Sequence, residues 1–225
     1  VSATEKDGRV LIHCHAGCAT ADILSSVGLT LADLFEEVIR VPESTPVLRS
    51  TSAAAVYDYT DLDGTLLHQV VRGADKSFRQ RRPDGAGGWI WSASKTRALY
   101  HWPDLTGQPV VWVVEGEKDV ETCRAHGLAA TTNCGGAGKW RAEETAALVA
   151  LAPSQVYVVP DHDVPGRRHA ASVVEQLTTA GLSARLVVLP GLQAHGDVSD
   201  WFASGGTAAR LLDLATAPPV EMPVI

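Results

Sequence analysis

The sequence predicts an α/β fold: a roughly four-stranded, mostly parallel sheet flanked by helices, preceded by a small, mostly antiparallel α+β subdomain. Three observations predict it. From residue 108 onward, short apolar runs alternate with helical windows, as they do where parallel strands are joined by crossover helices. Between residues 55 and 105 the runs are β-like and joined by tight-turn residues. Finally, 225 residues with 45% apolar and 20% charged side chains suffice for one large or two small folded domains and argue against wholesale disorder.

Taken in order, residues 9–35 read as a short strand (RVLIH), a tight Cys-containing turn and a helix from about Thr20 to Val27. The stretch VPESTPVLRSTS, with Pro42, Pro46 and five Ser/Thr, reads as a linker. A first module is therefore expected over residues 1–40, a linker over 41–54 and a second module over 55–106. In that second module AVYDYTD and TLLHQVVR meet at Asp63-Gly64, a hairpin-forming dipeptide. KSFRQRRP, a turn with Gly85, Gly87 and Gly88, the run Trp89 to Trp91 and RALYHWPDL complete it.

The last module, residues 107–225, begins with PVVWVVE as a buried strand and KDVETCRAHG as a helix stopped at Gly127. LAATTN is a second strand, RAEETAALVAL a second helix and QVYVVPD a third strand. PGRRHAASVVEQLTTAG is a helix with Pro165 near its start and Gly181 at its end, and ARLVVLP is a fourth strand.

The chain carries 19 basic and 26 acidic residues, a net charge of −7, which does not predict non-specific attraction of the whole molecule to nucleic acid. Arg72 to Arg97 is the exception, with seven bases against two acids. Four cysteines are too few for a disulfide framework and suit a reducing compartment. With no apolar run near the roughly 18 residues of a membrane span and no apolar leader in VSATEKDGRV, a cytoplasmic location without membrane partners is expected.

In parallel α/β sheets ligands bind beyond the carboxyl ends of the strands. Two strands end in acids there: VVWVV runs into Glu115, Glu117 and Asp119, and VYVVP into Asp161 and Asp163. Asp197 and Asp200 follow the fourth strand. If the strands are neighbours, Glu115, Asp161 and Asp163 converge, and carboxylates so crowded are commonly reconciled by a hard divalent cation such as Mg²⁺. Helix capping is the competing explanation, and it accounts for one acid per helix more easily than for this accumulation.

EGEKD after an apolar strand, the glycine-containing turn from Asn133 to Gly138, DHDVPGRRHA and DVSDWF together resemble a Toprim domain, over roughly residues 108–203. This is the metal-binding fold of bacterial and phage DNA primases, topoisomerases, RecR-like proteins and some nucleases. The EGEKD and DVSDWF forms look most like phage and plasmid primases and primase-helicases. The resemblance implies that Glu115 acts in acid–base chemistry and near the metal, and that Asp161 and Asp163 are the metal-binding pair. Asp119 and Asp197 would extend the set, Gly166 would permit close approach, and Arg167 would meet phosphate. No role falls to His162.

GRVLIHCHAGCATADILSSVGLTLADLF likewise resembles the second half of a CHC-type zinc-binding module. Cys14 and Cys18 would be one ligand pair of a remnant whose other pair lies upstream, so Zn²⁺ is expected only where that module is complete. The middle segment is similar to the basic region before Toprim in mobile-element primases. Lys76, Arg79, Arg81 and Arg82 are the expected template or nucleotide contacts, with Lys118 and Arg167 on the Toprim side. Trp89, Trp91, Tyr100 and Trp102 are either base-stacking platforms or a small core.

What this resemblance implies is a DNA primase making short RNA primers by nucleotidyl transfer, with two Mg²⁺ or Mn²⁺ ions. Its partners would be a single-stranded DNA template, ribonucleoside triphosphates and a replicative helicase. A Toprim-type nuclease and a non-catalytic DNA-binding replication module remain alternatives. Two other motifs are set aside. DLDGT at 61–65 matches a phosphatase nucleophile motif, but the alternating, half-polar VYDYT before it fits a hairpin better than a buried parallel strand. GGAGKW at 135–140 lacks both the first Gly, where Asn133 stands, and the final Ser/Thr of a Walker A loop, where Trp140 stands.

Overall fold

The structure is a computed structural model, and it describes residues 1–6, 9–13, 15, 18–26 and 53–217. The chain divides into two compact units, Val1–Ser50 and Thr51–Ile225. In the first, the expected strand β2 (Arg9–His13) has an antiparallel partner, β1 (Ser2–Lys6), and is followed by helix α1 (Thr20–Ser26), which buries Leu24. Cys14 and most of the expected linker lie outside the described residues; Cys18 is an exposed free thiol.

The second unit holds two sheets. Strands β3 (Ala53–Thr60), β4 (Leu66–Gly73), β5 (Phe78–Pro83) and β6 (Trp89–Ile90) form an antiparallel sheet in chain order. The β3–β4 turn is the expected hairpin. Asp61 Oδ1 accepts the Asp63 and Thr65 amides at 3.0 and 2.8 Å, and Gly64 takes φ 82°, where a Cβ would be strained. Asp61 thus closes a turn between antiparallel strands, and the phosphatase motif has no buried parallel strand to stand on.

The other sheet is wholly parallel, with order β10-β9-β7-β8, where β7 is Val110–Val113, β8 Ala130–Thr131, β9 Gln155–Val158 and β10 Ala184–Leu186. The connecting helices are α2 (Glu117–Ala125), α3 (Ala142–Leu151) and α4 (Val164–Thr179). Two short helices not expected from the sequence, α5 (Val198–Ala203) and α6 (Ala208–Thr216), follow β10.

The period of two along β7 and β9 builds two cores, one on each face of the sheet. Val111, Val113, Val156 and Val158 pack with Leu148 of α3 and Val173 and Leu177 of α4. Trp112, Val114, Tyr157 and Val159 face the other way, into a core that also takes Val120, Trp201, Leu211 and, from the antiparallel sheet, Tyr57, Tyr59 and Val70. The inner face of the antiparallel sheet is thereby fixed against the parallel one. Tyr100, a candidate for base stacking, belongs to this core at 4% exposed and donates its hydroxyl to Glu121, so it does not meet solvent as a stacking platform.

Candidate functional site

β7 and β9 are hydrogen-bonded neighbours, with Val113 opposite Val158, so Glu115 and Asp161 leave the sheet side by side at its carboxyl edge. Gly166, in the first turn of α4, sets how near they come. A Cβ there would stand 2.9 Å from Glu115 Oε2, 3.0 Å from the Asp161 carbonyl oxygen and 3.1 Å from Asp161 Cβ. Only glycine leaves room for the three to meet. Glu115 Oε2 is buried without a hydrogen-bond partner, and the Asp161 carboxylate makes no hydrogen bond or ion pair. Burial, reinforced by Glu115, Asp119, Asp197 and Asp163, pushes Asp161 up to about 8; burial, then Asp163 and Asp119, also raises Glu115.

The remaining acids have partners. Asp163 caps α4, accepting the Gly166 amide at 2.7 Å, and its other oxygen lies 3.3 Å from His195 Nδ1; the capping bond holds its carboxyl below the ordinary range. Asp119 accepts the Ser199 hydroxyl at 2.6 Å, while burial pushes it up to about 6. Asp197 caps α5 through Oδ1, at 2.8 Å from the Asp200 amide, and takes Lys118 Nζ on Oδ2 at 2.8 Å. Glu117 is buried beneath them, held by the Tyr59 hydroxyl at 2.8 Å.

The antiparallel sheet supplies the facing wall. A crevice of about 190 Å³ is lined by Tyr57, Arg72 and Phe78 on one side and by Gly116 to Asp119 and Asp197 on the other. Strand register decides which bases reach it. Arg72 pairs with Phe78, whereas Arg79 pairs with Val71 and Arg81 with Gln69, one residue out of phase and so on the opposite face. Arg79 lies 4.4 Å from the Trp91 ring centroid and Arg81 4.1 Å from that of Trp89, an exposed Arg–Trp ladder on the outer face. Lys76 is exposed in the β4–β5 turn, and Arg82 is exposed on the same strand face as Arg72. Arg167 begins α4 beside Asp163 and has no ion-pair partner.

The structure thus brings Glu115, Asp119, Asp161, Asp163, Asp197, Lys118 and Arg167 to one edge, and turns Arg79 and Arg81 away from it. Sequence reasoning missed Arg72 as the crevice base, and also Tyr59, Ser199 and His195. Arg72 was within reach of sequence, since the period of two from Tyr57 and Phe78 selects it; His195 had no signal.

All the site's donors are carboxylate oxygens, the kind that hard divalent cations take, and the buried, unpartnered Glu115 oxygen fits such an ion. Among the described residues, no three Asp, Glu, His or Cys side chains already close into a metal-binding group. No described helix is long and apolar enough to cross a membrane.

Among solved structures, the chain is similar to the zinc-binding and RNA polymerase domains of the Aquifex aeolicus primase, with TM-score 0.53, 20% identity and coverage of 71% of this chain and 38% of that one. It is also similar to the primase fragment of the bacteriophage T7 primase-helicase, with TM-score 0.50, 22% identity and coverage of 71% and 60%. The RNA polymerase domain of the Mycobacterium tuberculosis primase, in complex with double-stranded DNA, gives TM-score 0.50, 22% identity and coverage of 71% and 51%. The fold is therefore primase-like, and the chain spans well under half of the Aquifex chain it matches. No family model and no curated protein matches the sequence.

Proposed function

We propose that this chain is the catalytic part of a Toprim-type DNA primase, a nucleotidyltransferase that makes short RNA primers on single-stranded DNA. The observation that carries the reading is the pair of unpartnered acids, Glu115 and Asp161, just beyond the carboxyl ends of adjacent parallel strands, next to Gly116 to Asp119, which line a crevice with Arg72. That is where we place the triphosphate and the primer end.

Glu115, Asp161 and Asp163 would hold Mg²⁺ or Mn²⁺, with Asp119 beside them and Asp197 at the margin. A pair of such ions, when bound, supplies Lewis acidity and charge neutralisation for phosphoryl chemistry. The chain's own part is to concentrate carboxylates that repel one another until a cation draws them together. Arg72, Lys118 and Arg167 offer the phosphates compensating charge, and Tyr57 and Phe78 line the crevice beside Arg72. Phage- or plasmid-type affiliation follows the EGEKD and DVSDWF motifs. A replicative helicase is the proposed partner, and Zn²⁺ enters only with a complete N-terminal module around Cys14 and Cys18.

Incorporation of labelled ribonucleotides on single-stranded DNA, with Mg²⁺ or Mn²⁺, tests the reading. Short oligoribonucleotides made by the wild-type chain and lost in Asp161→Asn are expected. Metal-dependent shortening of the template would make the protein a nuclease, and a folded Asp161→Asn with full synthesis would remove the acids from the chemistry.

A further inference from the structure

The GGAGKW loop, rejected as a Walker A sequence, forms one rim of a cavity of about 360 Å³ whose opposite rim is α4. Pro165, Arg168, His169, Ser172 and Gln176 line it, a stripe at helical spacing extending about 16 Å at ~1.5 Å per residue. Arg141 closes the loop side, and no lining residue is acidic, in a chain whose acids outnumber its bases by 26 to 19.

The donors in this cavity are set in advance. The Gly138 amide donates to His169 Nδ1 at 3.0 Å, which leaves the neutral ring's proton on Nε2. His169 is only 8% exposed, and its Nε2 has no hydrogen-bond partner. Arg168 has no ion pair or hydrogen bond through its side chain. Arg141 is anchored by Nη1 to the Gly138 and Trp140 carbonyl oxygens, leaving its other nitrogens free. Gln176 Nε2 donates to Ser172 Oγ at 3.3 Å, so the Ser172 hydroxyl hydrogen is available. Two guanidinium groups, a fixed imidazole N–H and a hydroxyl, with no opposing carboxylate, suit several linked phosphate oxygens.

We propose that this cavity binds the phosphate chain of a nucleoside triphosphate without a divalent cation, at a site separate from the acidic crevice. Its position is informative, since His169 also lines a small hollow with Glu115 and Gly166. One side chain thus borders both the cavity and the hollow beside Glu115. The proposal does not rest on the primer-synthesis reading, because its assay contains no metal and measures no reaction.

The test is equilibrium binding of ATP to the full chain in EDTA, by calorimetry, with the Gly138 amide followed by NMR. Saturable binding that shifts Gly138, weakens at least tenfold in Arg168→Gln and persists in Asp161→Asn is expected. Arg168 is exposed, so its replacement leaves the fold intact, which circular dichroism checks. Absence of saturable binding in EDTA, unchanged affinity in Arg168→Gln, or equal displacement by single-stranded DNA at matched phosphate concentration would each overturn the proposal.

Discussion

Two groups of acids share the carboxyl edge of the parallel sheet, and they differ in what holds them. Around α2 and α5 every carboxylate is satisfied, for example Glu117 by Tyr59, Asp119 by Ser199, and Asp197 by Lys118 and the Asp200 amide. At the ends of β7 and β9, Glu115 and Asp161 have no such partners, and burial raises both. The satisfied acids tie α2, α5 and the antiparallel sheet together. The unsatisfied ones crowd charge that the metal-free chain relieves by holding a proton and that the proposed cation would relieve instead.

The largest expected effect of breaking this contrast is at Asp161. Asp161→Asn should lower metal-dependent activity by about a hundredfold or more, as loss of a group that stabilises transition-state charge does. It should not destabilise the metal-free fold. Because the folded carboxyl titrates at about 8, well above an unfolded aspartate, the metal-free protein holds the extra proton between those values. Its stability therefore falls as pH rises from about 4 to about 8. Thermal melts in EDTA should show that decline in wild type and a flatter profile in Asp161→Asn.

Gly166→Ala comes next, because its methyl would stand 2.9 Å from Glu115 Oε2 and press on the Asp161 backbone. About a tenfold or greater loss of metal-dependent turnover is expected, since small displacements of reacting groups are costly. Wild-type turnover in this variant would mean that the glycine has no bearing on the crevice.

On the satisfied side the effects move from activity to stability. Tyr59→Phe leaves the buried Glu117 carboxylate without its hydroxyl and should cost about 1–3 kcal/mol in chemical denaturation. His68, stacked on Tyr59 and 1% exposed, is lowered to about 4 by burial and then by Arg97. It is neutral in the fold while the unfolded chain protonates near 6.5, so stability falls as pH drops from about 6.5 to 4, by up to ~3 kcal/mol. His68→Phe should remove that acid limb. The smallest contrast is between the faces of the antiparallel sheet: Arg72→Ala should reduce primer synthesis more than Arg79→Ala, and the reverse order would place the template on the outer Arg–Trp ladder.

Much of this was legible in the sequence. Apolar runs ending in acids located the carboxyl edge, and Asp63-Gly64 marked the hairpin, because local turn chemistry and strand period are short-range properties. What holds the acids was not legible. Tyr59 to Glu117, Lys118 to Asp197 and Ser199 to Asp119 join residues 58, 79 and 80 positions apart, and only the packed fold reveals them. The basic run was readable as charge but not as two faces, since a one-residue phase separates Arg72 from Arg79 and Arg81. Helices α5 and α6 escaped notice because they are short, and α5 depends on Asp197 as its cap.

The most direct measurement is Mn²⁺ binding by electron paramagnetic resonance to the wild-type chain, Asp161→Asn and Asp197→Asn. Asp161→Asn should abolish tight binding, while Asp197→Asn, whose carboxylate is already engaged by Lys118 and the Asp200 amide, should retain most of it. Equal loss in both variants, or unchanged binding in Asp161→Asn, would contradict the division between satisfied and unsatisfied acids.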